Sequence, residues 1–187
     1  PHYCYHPGLP VAGVCRMCLV EVEKMPKLAP SCATDVGEGQ VVHVYSEKAL
    51  EARKGVLELL LINHPLDCPL CTRCVRFMDD IHHEPVLNVS ERGDRAVIGK
   101  ASDHDLTQPW AANVIDLCPV GALVSKDFLN KARAWELDRT ASVCTGCSQG
   151  CNSILETRDN VVVRQKPRSN EEVNHFYLCD EGRLDYR

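Results

Sequence analysis

The chain is poor in aromatic residues, with three Phe, five Tyr and two Trp among 187 residues. Its net charge is only −5, so no strongly basic surface with stacking rings is present to draw nucleic acid. Long apolar runs are missing. The longest, Val56 to Ile62, is broken by Glu58 and falls far short of the ~20 residues a bilayer-spanning helix needs. No secretory leader pattern is visible. There is no nucleotide-binding glycine fingerprint, no Ser/His/Asp or paired-carboxylate constellation, no internal repeat and no low-complexity stretch. No catalytic side chains are evident. The length suits one large domain or two or three small ones. The first residue is Pro, three residues before the first cysteine, and the start reads as an interruption inside a domain.

What the chain has in excess is cysteine, twelve in all. Cysteine-rich chains divide into disulfide scaffolds and metal proteins. Disulfides join separated partners and close loops, whereas short Cys-x-x-Cys steps favour a metal or a redox dithiol. Here Cys15/Cys18, Cys68/Cys71/Cys74 and Cys144/Cys147/Cys151 lie in tight groups, with Cys4 just upstream of the first. Zinc and disulfides remain as alternatives, but the spacings favour iron–sulfur clusters.

The central group is Cys68-Pro69-Leu70-Cys71-Thr72-Arg73-Cys74, followed after a long gap by Cys118-Pro119. A cubane cluster needs one thiolate per iron, and a tight triplet with a distant Cys-Pro supplies four. The first group, Cys4, Cys15, Cys18 and Cys32, has a long loop, a tight pair and a distant fourth member, the grammar of a two-iron cluster. The third group is Cys144, Cys147, Cys151 and Cys179, a second four-iron pattern. These three quartets use every cysteine once.

Periodicity places the groups. Leu19 to Glu23 alternates as a strand, and Val41 to Tyr45 reads as another after a Gly37-Glu38-Gly39 turn. Ser46 is a candidate N-cap for a helix carrying apolar residues at 49, 52, 56, 59 and 60, stopped by Asn63-His64-Pro65. A helix is expected over Arg73 to His83, short strands over Val86–Val89 and Ala96–Ile98, and a segment Asn113–Leu117 leading into Cys118. A further helix is expected from Ser125 to Trp135, and a hairpin joins 153–157 to 161–164. The expected class is α+β: a truncated ferredoxin-like β-grasp unit, then small loop-rich iron–sulfur units with short helices and a β-hairpin. The expected divisions are 1–45, 46–138 and 139–187.

Several stretches resemble a known family. They are Cys4-Tyr5-His6-Pro7, Cys15-Arg16-Met17-Cys18-Leu19-Val20-Glu21-Val22-Glu23, Asn63-His64-Pro65-Leu66-Asp67-Cys68-Pro69, Cys71-Thr72-Arg73-Cys74-Val75-Arg76-Phe77 and Val114-Ile115-Asp116-Leu117-Cys118-Pro119-Val120-Gly121-Ala122-Leu123. Together they resemble the large iron–sulfur subunit of NADH:quinone oxidoreductase, respiratory complex I. The resemblance implies one [2Fe-2S] cluster on Cys4, Cys15, Cys18 and Cys32. It implies a [4Fe-4S] cluster on Cys68, Cys71, Cys74 and Cys118, and another on Cys144, Cys147, Cys151 and Cys179 at the start of a molybdopterin-oxidoreductase-like domain. It further implies an electron relay from an NADH- and flavin-binding subunit toward quinone-side iron–sulfur subunits. The setting it implies is a hetero-oligomeric peripheral arm on the cytoplasmic face of a bacterial inner membrane, with no span and no nucleic acid.

One departure stands out. Such subunits carry an additional His-x3-Cys-x2-Cys-x5-Cys site. His64 and Cys68 match its first two ligands, and then the chain jumps into the central triplet, as if one segment were excised. Cys68 stands where two family cysteines would be. His64 is therefore a doubtful ligand, and a helix-terminal residue before Pro is the plainer reading.

Two rival functions remain: the electron-input module of a soluble NAD-linked hydrogenase or formate dehydrogenase, and a structural protein stapled by clusters or zinc. His2, His6, His43, His82, His83, His104 and His175 show no ligand spacing and read as surface or packing residues. Arg73 and Arg76 read as a solvated helix face, as does Asp79-Asp80.

Overall fold

The computed structural model describes residues 1–62, 68–101 and 105–187. His64 and His104 lie outside the described residues. The chain forms two compact units, 1–101 and 102–187. The class is α+β, as the sequence implied.

In the first unit a small sheet has the order β2-β1-β3, with β1 Leu19–Val22, β2 Ala29–Pro30 and β3 Val42–His43. Both neighbours of β1 are antiparallel, Leu19 facing Pro30 and Glu21 facing His43. The alternation predicted for β1 is realised: Val20 and Val22 are buried with Ala29, while Glu21 turns outward. β3 is shorter than the expected Val41–Tyr45, and Val41, Val42, Val44 and Tyr45 are exposed.

Helix α1 runs Glu47–Ile62, one residue after the expected cap. Ser46 Oγ accepts the Ala49 N–H at 3.3 Å, satisfying one donor of the first turn. The buried face follows the expected apolar stripe except at Leu59, and it takes in Arg53. Ala49 and Arg53 are buried and Val56 and Leu60 pack on Cys4, Cys15, Met17 and Cys71, whereas Leu59 is exposed. A cation thus occupies a core position, because its guanidinium has a carbonyl to bind: Arg53 Nε and Nη2 donate to Leu19 O at 3.0 and 2.8 Å.

The helix expected over Arg73 to His83 forms as α2, Arg73–Arg76, which widens into a π-helical turn over Phe77–Ile81. Phe77 and Met78 are buried in it. The hairpin β4 (Leu87–Ser90) with β5 (Val97–Lys100) follows, paired from Leu87–Lys100 to Ser90–Val97.

The second unit holds the five-residue helix α3, Asn113–Leu117, ahead of Cys118. It also holds a meander β6-β7-β8: β6 Asp138–Val143, β7 Asn152–Arg158 and β8 Val161–Pro167. The β7–β8 hairpin lies where the sequence placed it. β6 has no counterpart in the sequence pattern, since Asp138-Arg139-Thr140-Ala141-Ser142-Val143 is nearly all exposed and lacks a buried alternation. No regular helix forms from Ser125 to Trp135; the stretch is a series of turns ending in a 3-10 turn over Ala134–Glu136. Asn130 sits at φ 65°, which breaks a right-handed helix. Asp127 turns aside to meet Lys131, Tyr186 and Arg187. The short helix α4, Asp180–Leu184, closes the unit.

Candidate metal centres

No disulfide joins any of the cysteines among the described residues. Eight of them, with their neighbours, show the geometry of the two outer quartets most clearly.

In the first unit Cys4, Cys15 and Cys18 are buried and Cys32 is half-buried. The N–H groups of Tyr3 and Cys4 both approach Cys15 Sγ at 3.4 Å. Burial raises the Cys15 pKa, yet hydrogen bonds from the backbone of Cys4, Met17 and Tyr3 outweigh it and draw the thiol below its ordinary value. Cys18 Sγ lies 3.3 Å from Cys32 Sγ. Burial, then Cys18, then Cys4 and Cys15 push the Cys32 thiol up to about 12. Each of the other three thiols acts on Cys32, so the quartet named from spacing alone is gathered in space. Four close thiols resist becoming four thiolates unless a positive centre offsets them, and that is the donor set an iron–sulfur cluster takes.

In the second unit Cys144 and Cys151 pack with fully buried Leu178. Burial and then Cys144, Cys179 and Cys147 raise the Cys151 pKa, so this quartet also stands together. The Cys144 N–H donates to Cys151 O at 2.8 Å, and the Gly182 N–H to Cys179 Sγ at 3.3 Å. Gly182 is a cradle. A Cβ there would lie 2.8 Å from Cys144 Sγ and 3.2 Å from Cys179 Sγ, inside contact distance.

The central group is split between the units in sequence: Cys68, Cys71 and Cys74 fall in the first, Cys118 in the second. Cys71 shares an apolar cluster with Cys4 and Cys15. Cys68 borders an open hollow of about 300 Å³ with Cys15, Val56, Leu60 and Leu70. Leu70 and Thr72, which lie among the three thiols, are left-handed at φ 49° and 58°. Non-glycine residues in that region are held there at a cost of about 1–3 kcal/mol each and concentrate at functional loops. Such reversals turn successive N–H groups into a concavity suited to anions. Cys118 ends α3, its N–H donating to Val114 O at 3.1 Å.

Among the described residues, no three His, Cys, Asp or Glu side chains converge on one point to hold a single metal ion.

Three arginines have surroundings that their sequence positions do not reveal. Arg73 is buried and Arg76 half-buried, so the expected solvated helix face is not there. Arg73 Nη2 donates to Tyr5 O at 2.5 Å; Arg76 donates to Cys4 O and Pro10 O, each at 2.5 Å. Arg53 had only its i+4 position after Ala49 as a signal. Two of the histidines have packing or surface partners: His43 meets Glu23 at 3.0 Å and His82 stacks on Phe77. His6 is held down to about 4 by burial and by the charges of Arg73 and Arg76. Asp79 and Asp80 are exposed as expected.

Comparisons with known proteins divide the chain in three. Residues 1–47 match the 2Fe-2S iron–sulfur cluster binding domain. Residues 61–124 match the ferredoxin-like domain of NADH-quinone oxidoreductase subunit 3. Residues 137–186 match the molybdopterin oxidoreductase Fe4S4 domain. The chain is 37% identical to the NADH-quinone oxidoreductase G-type subunit of Rickettsia bellii, with 100% of this chain and 34% of that protein covered. It is 39% identical to the mitochondrial NADH-ubiquinone oxidoreductase 78 kDa subunit of Candida albicans (98% and 32% covered) and 40% identical to that of Neurospora crassa (98% and 32%). The alignment with the Rickettsia bellii protein runs 234 positions against the 187 residues here, so at least 47 positions face gaps in this chain. That agrees with a segment present in relatives and missing here. A chain from the crystal structure of NAD+-reducing [NiFe]-hydrogenase in the H2-reduced state overlaps at TM-score 0.48 with 22% identity, covering 55% of this chain and 63% of that one. That match is too loose to bear on function. Spanning about a third of the length of the curated relatives it matches, the chain belongs to the family of the bacterial NADH-quinone oxidoreductase G-type subunit and the mitochondrial 78 kDa subunit.

Proposed function

We propose that this chain is an electron-relay segment of an NADH:quinone oxidoreductase. It would hold one [2Fe-2S] cluster on Cys4, Cys15, Cys18 and Cys32. It would hold one [4Fe-4S] cluster on Cys68, Cys71, Cys74 and Cys118, and a second on Cys144, Cys147, Cys151 and Cys179. The observation that carries the reading is the close approach of thiols in each outer quartet, Cys18 Sγ 3.3 Å from Cys32 Sγ and the Gly182 cradle against Cys144 and Cys179 Sγ, in a chain of this family. The match of residues 61–124 to one ferredoxin-like domain supports placing Cys118 with the central triplet.

When bound, the clusters supply one-electron chemistry. The chain's own residues ligate, exclude water and set the local field. Cys4, Cys15, Cys18, Cys71, Cys74, Cys144 and Cys151 are buried, which would shield the ligating sulfurs from solvent. Backbone N–H groups of Tyr3 and Cys4 favour the Cys15 thiolate, and that of Gly182 donates to Cys179 Sγ. In the whole assembly electrons would enter from an NADH- and flavin-binding subunit and leave toward quinone-side iron–sulfur subunits. The setting would be a peripheral arm at the cytoplasmic face of a bacterial inner membrane. Among the described residues no helix is long and apolar enough to cross a membrane.

Native mass spectrometry with iron and acid-labile sulfide analysis of anaerobically prepared protein tests this. About ten irons per chain are expected from the three cluster types. About six would remove one four-iron assignment. Zinc with no iron would sink the relay.

A further inference from the structure

Beyond ligation, the first centre is wrapped by guanidinium groups. Arg53 of α1 takes Leu19 O, next to Cys18; Arg73 of α2 takes Tyr5 O, next to Cys4; Arg76 takes the carbonyl of Cys4 itself and that of Pro10. Four carbonyls around this quartet, three on the Cys4–Pro10 loop and one at the start of β1, are thus turned onto cations. On the sulfur side the sense is opposite, with the N–H groups of Tyr3 and Cys4 directed at Cys15 Sγ. Four oxygen ends around this quartet thus face arginine, and two N–H ends face Cys15 Sγ. That arrangement lowers the energy of added negative charge at the centre.

We propose that Arg53, Arg73 and Arg76 are positioning residues of the two-iron centre, holding its ligand loop by carbonyl capture and raising its reduction potential through their charge. The proposal rests on the assignment of a two-iron cluster to Cys4, Cys15, Cys18 and Cys32. Reduction adds one electron to the cluster and makes or breaks no bond, so charge nearby acts directly on that equilibrium. The charge of Arg73 interacts with Cys71, Cys4 and Cys15, which places it within electrostatic reach of both sites' sulfurs. Arg73 and Arg76 also flank Cys74 in sequence. Helix α2 therefore carries a thiol of the central group and two of the three cations that serve the first.

The test is a dithionite titration of the full 187-residue chain, followed by electron paramagnetic resonance of the reduced two-iron signal. Arg76→Gln is compared with Arg76→Lys. Loss of the charge is expected to disfavour reduction roughly tenfold, about 59 mV downward for one electron, with the signal retained. Arg76→Lys is expected to stay near the parent value. An intact signal at an unchanged potential in Arg76→Gln overturns the proposal. If Arg76→Gln does not load iron, the Lys variant decides. Loading at the parent potential supports the proposal, and failure to load or a lowered potential overturns it. A parent chain with no two-iron signal sinks the cluster assignment instead, so the two failures are distinct.

Discussion

Asn113 and Leu178 exchange two hydrogen bonds: Asn113 Nδ2 donates to Leu178 O at 3.0 Å, and Leu178 N–H donates to Asn113 Oδ1 at 3.0 Å. A side-chain amide thereby imitates a strand partner for a residue that is fully buried. The same block is tied by Ala112 N–H to Asp180 at 3.0 Å and by Arg183 to Asp116 at 2.6 Å. Asn113→Leu strands a buried donor and a buried acceptor, each costing about 1–3 kcal/mol. A loss of about 2–4 kcal/mol in urea unfolding is expected, and a change under about 0.5 kcal/mol would contradict this account.

Gly182→Ala probes the third quartet. The added methyl group would meet Cys144 Sγ at 2.8 Å and Cys179 Sγ at 3.2 Å. Both sulfurs are proposed ligands, so neither can yield without leaving its cluster. Iron per chain is expected to fall from about ten to about six with the two-iron signal intact. Full iron content in this variant would show that the sulfurs have room the structure does not provide.

Glu156 separates a buried ion pair from an exposed one. Its carboxylate is 2% exposed and meets both Arg139 and Arg164. Arg164 also lies 3.9 Å over the Phe128 ring and is mostly buried, whereas Arg139 is 61% exposed. Arg164→Met is expected to cost about 3 kcal/mol, because it leaves a buried carboxylate short of its better partner. Arg139→Ala is expected to cost under about 1 kcal/mol. Denaturant midpoints of the two variants check the order, and equal effects would refute it.

Asp127 sets an acid limb. Its hydrogen bond from Tyr186 outweighs burial and, with those from Lys131 and Arg187, holds the carboxyl below its ordinary value. A depressed folded pKa gives stability that is present above the unfolded carboxylate range, near 4, and lost as pH falls through the lower folded value. Asp127→Asn is therefore expected to flatten the loss of stability on the acid side of about 4 while leaving the slope near neutrality alone. Burial first, and then Asp127, raises the Tyr186 pKa, so its phenolate should appear above the ordinary tyrosine range, about 10, in an ultraviolet titration. The shift should shrink in Asp127→Asn; an unaltered tyrosine titration would exclude the pairing.

Spacing is a property of the sequence itself, so the grouping of the cysteines could be proposed from it, and in the outer two groups neighbouring thiols do act on Cys32 and on Cys151. The strand β1, helix α1 and the β7–β8 hairpin were legible from periodicity and caps. What escaped was decided by tertiary partners. Arg53 lies on an apolar stripe as a cation, and only the position of Leu19 O makes it a core residue. Arg73 and Arg76 look like surface charge until the loop from Cys4 to Pro10 folds over them. The segment after Ser125 has helical composition, but Asp127 is claimed by Tyr186 and Arg187, some 60 residues away in the chain. β6 carries almost no apolar signal and exists because β7 offers it an edge.

The bond pair at Asn113 also has a consequence for synthesis on the ribosome. Cys118 closes a helix of five residues, too short to persist alone, whose anchors are Leu178, Asp180 and Arg183. Translation reaches Cys179 61 codons after Cys118. At about 5–20 residues per second, that is a wait of roughly 3–12 s in which the thiol has emerged but its mount has not. The Cys118 thiol therefore leaves the ribosome on a peptide without its anchors and gains a fixed mount only once the stretch through Arg183 is made.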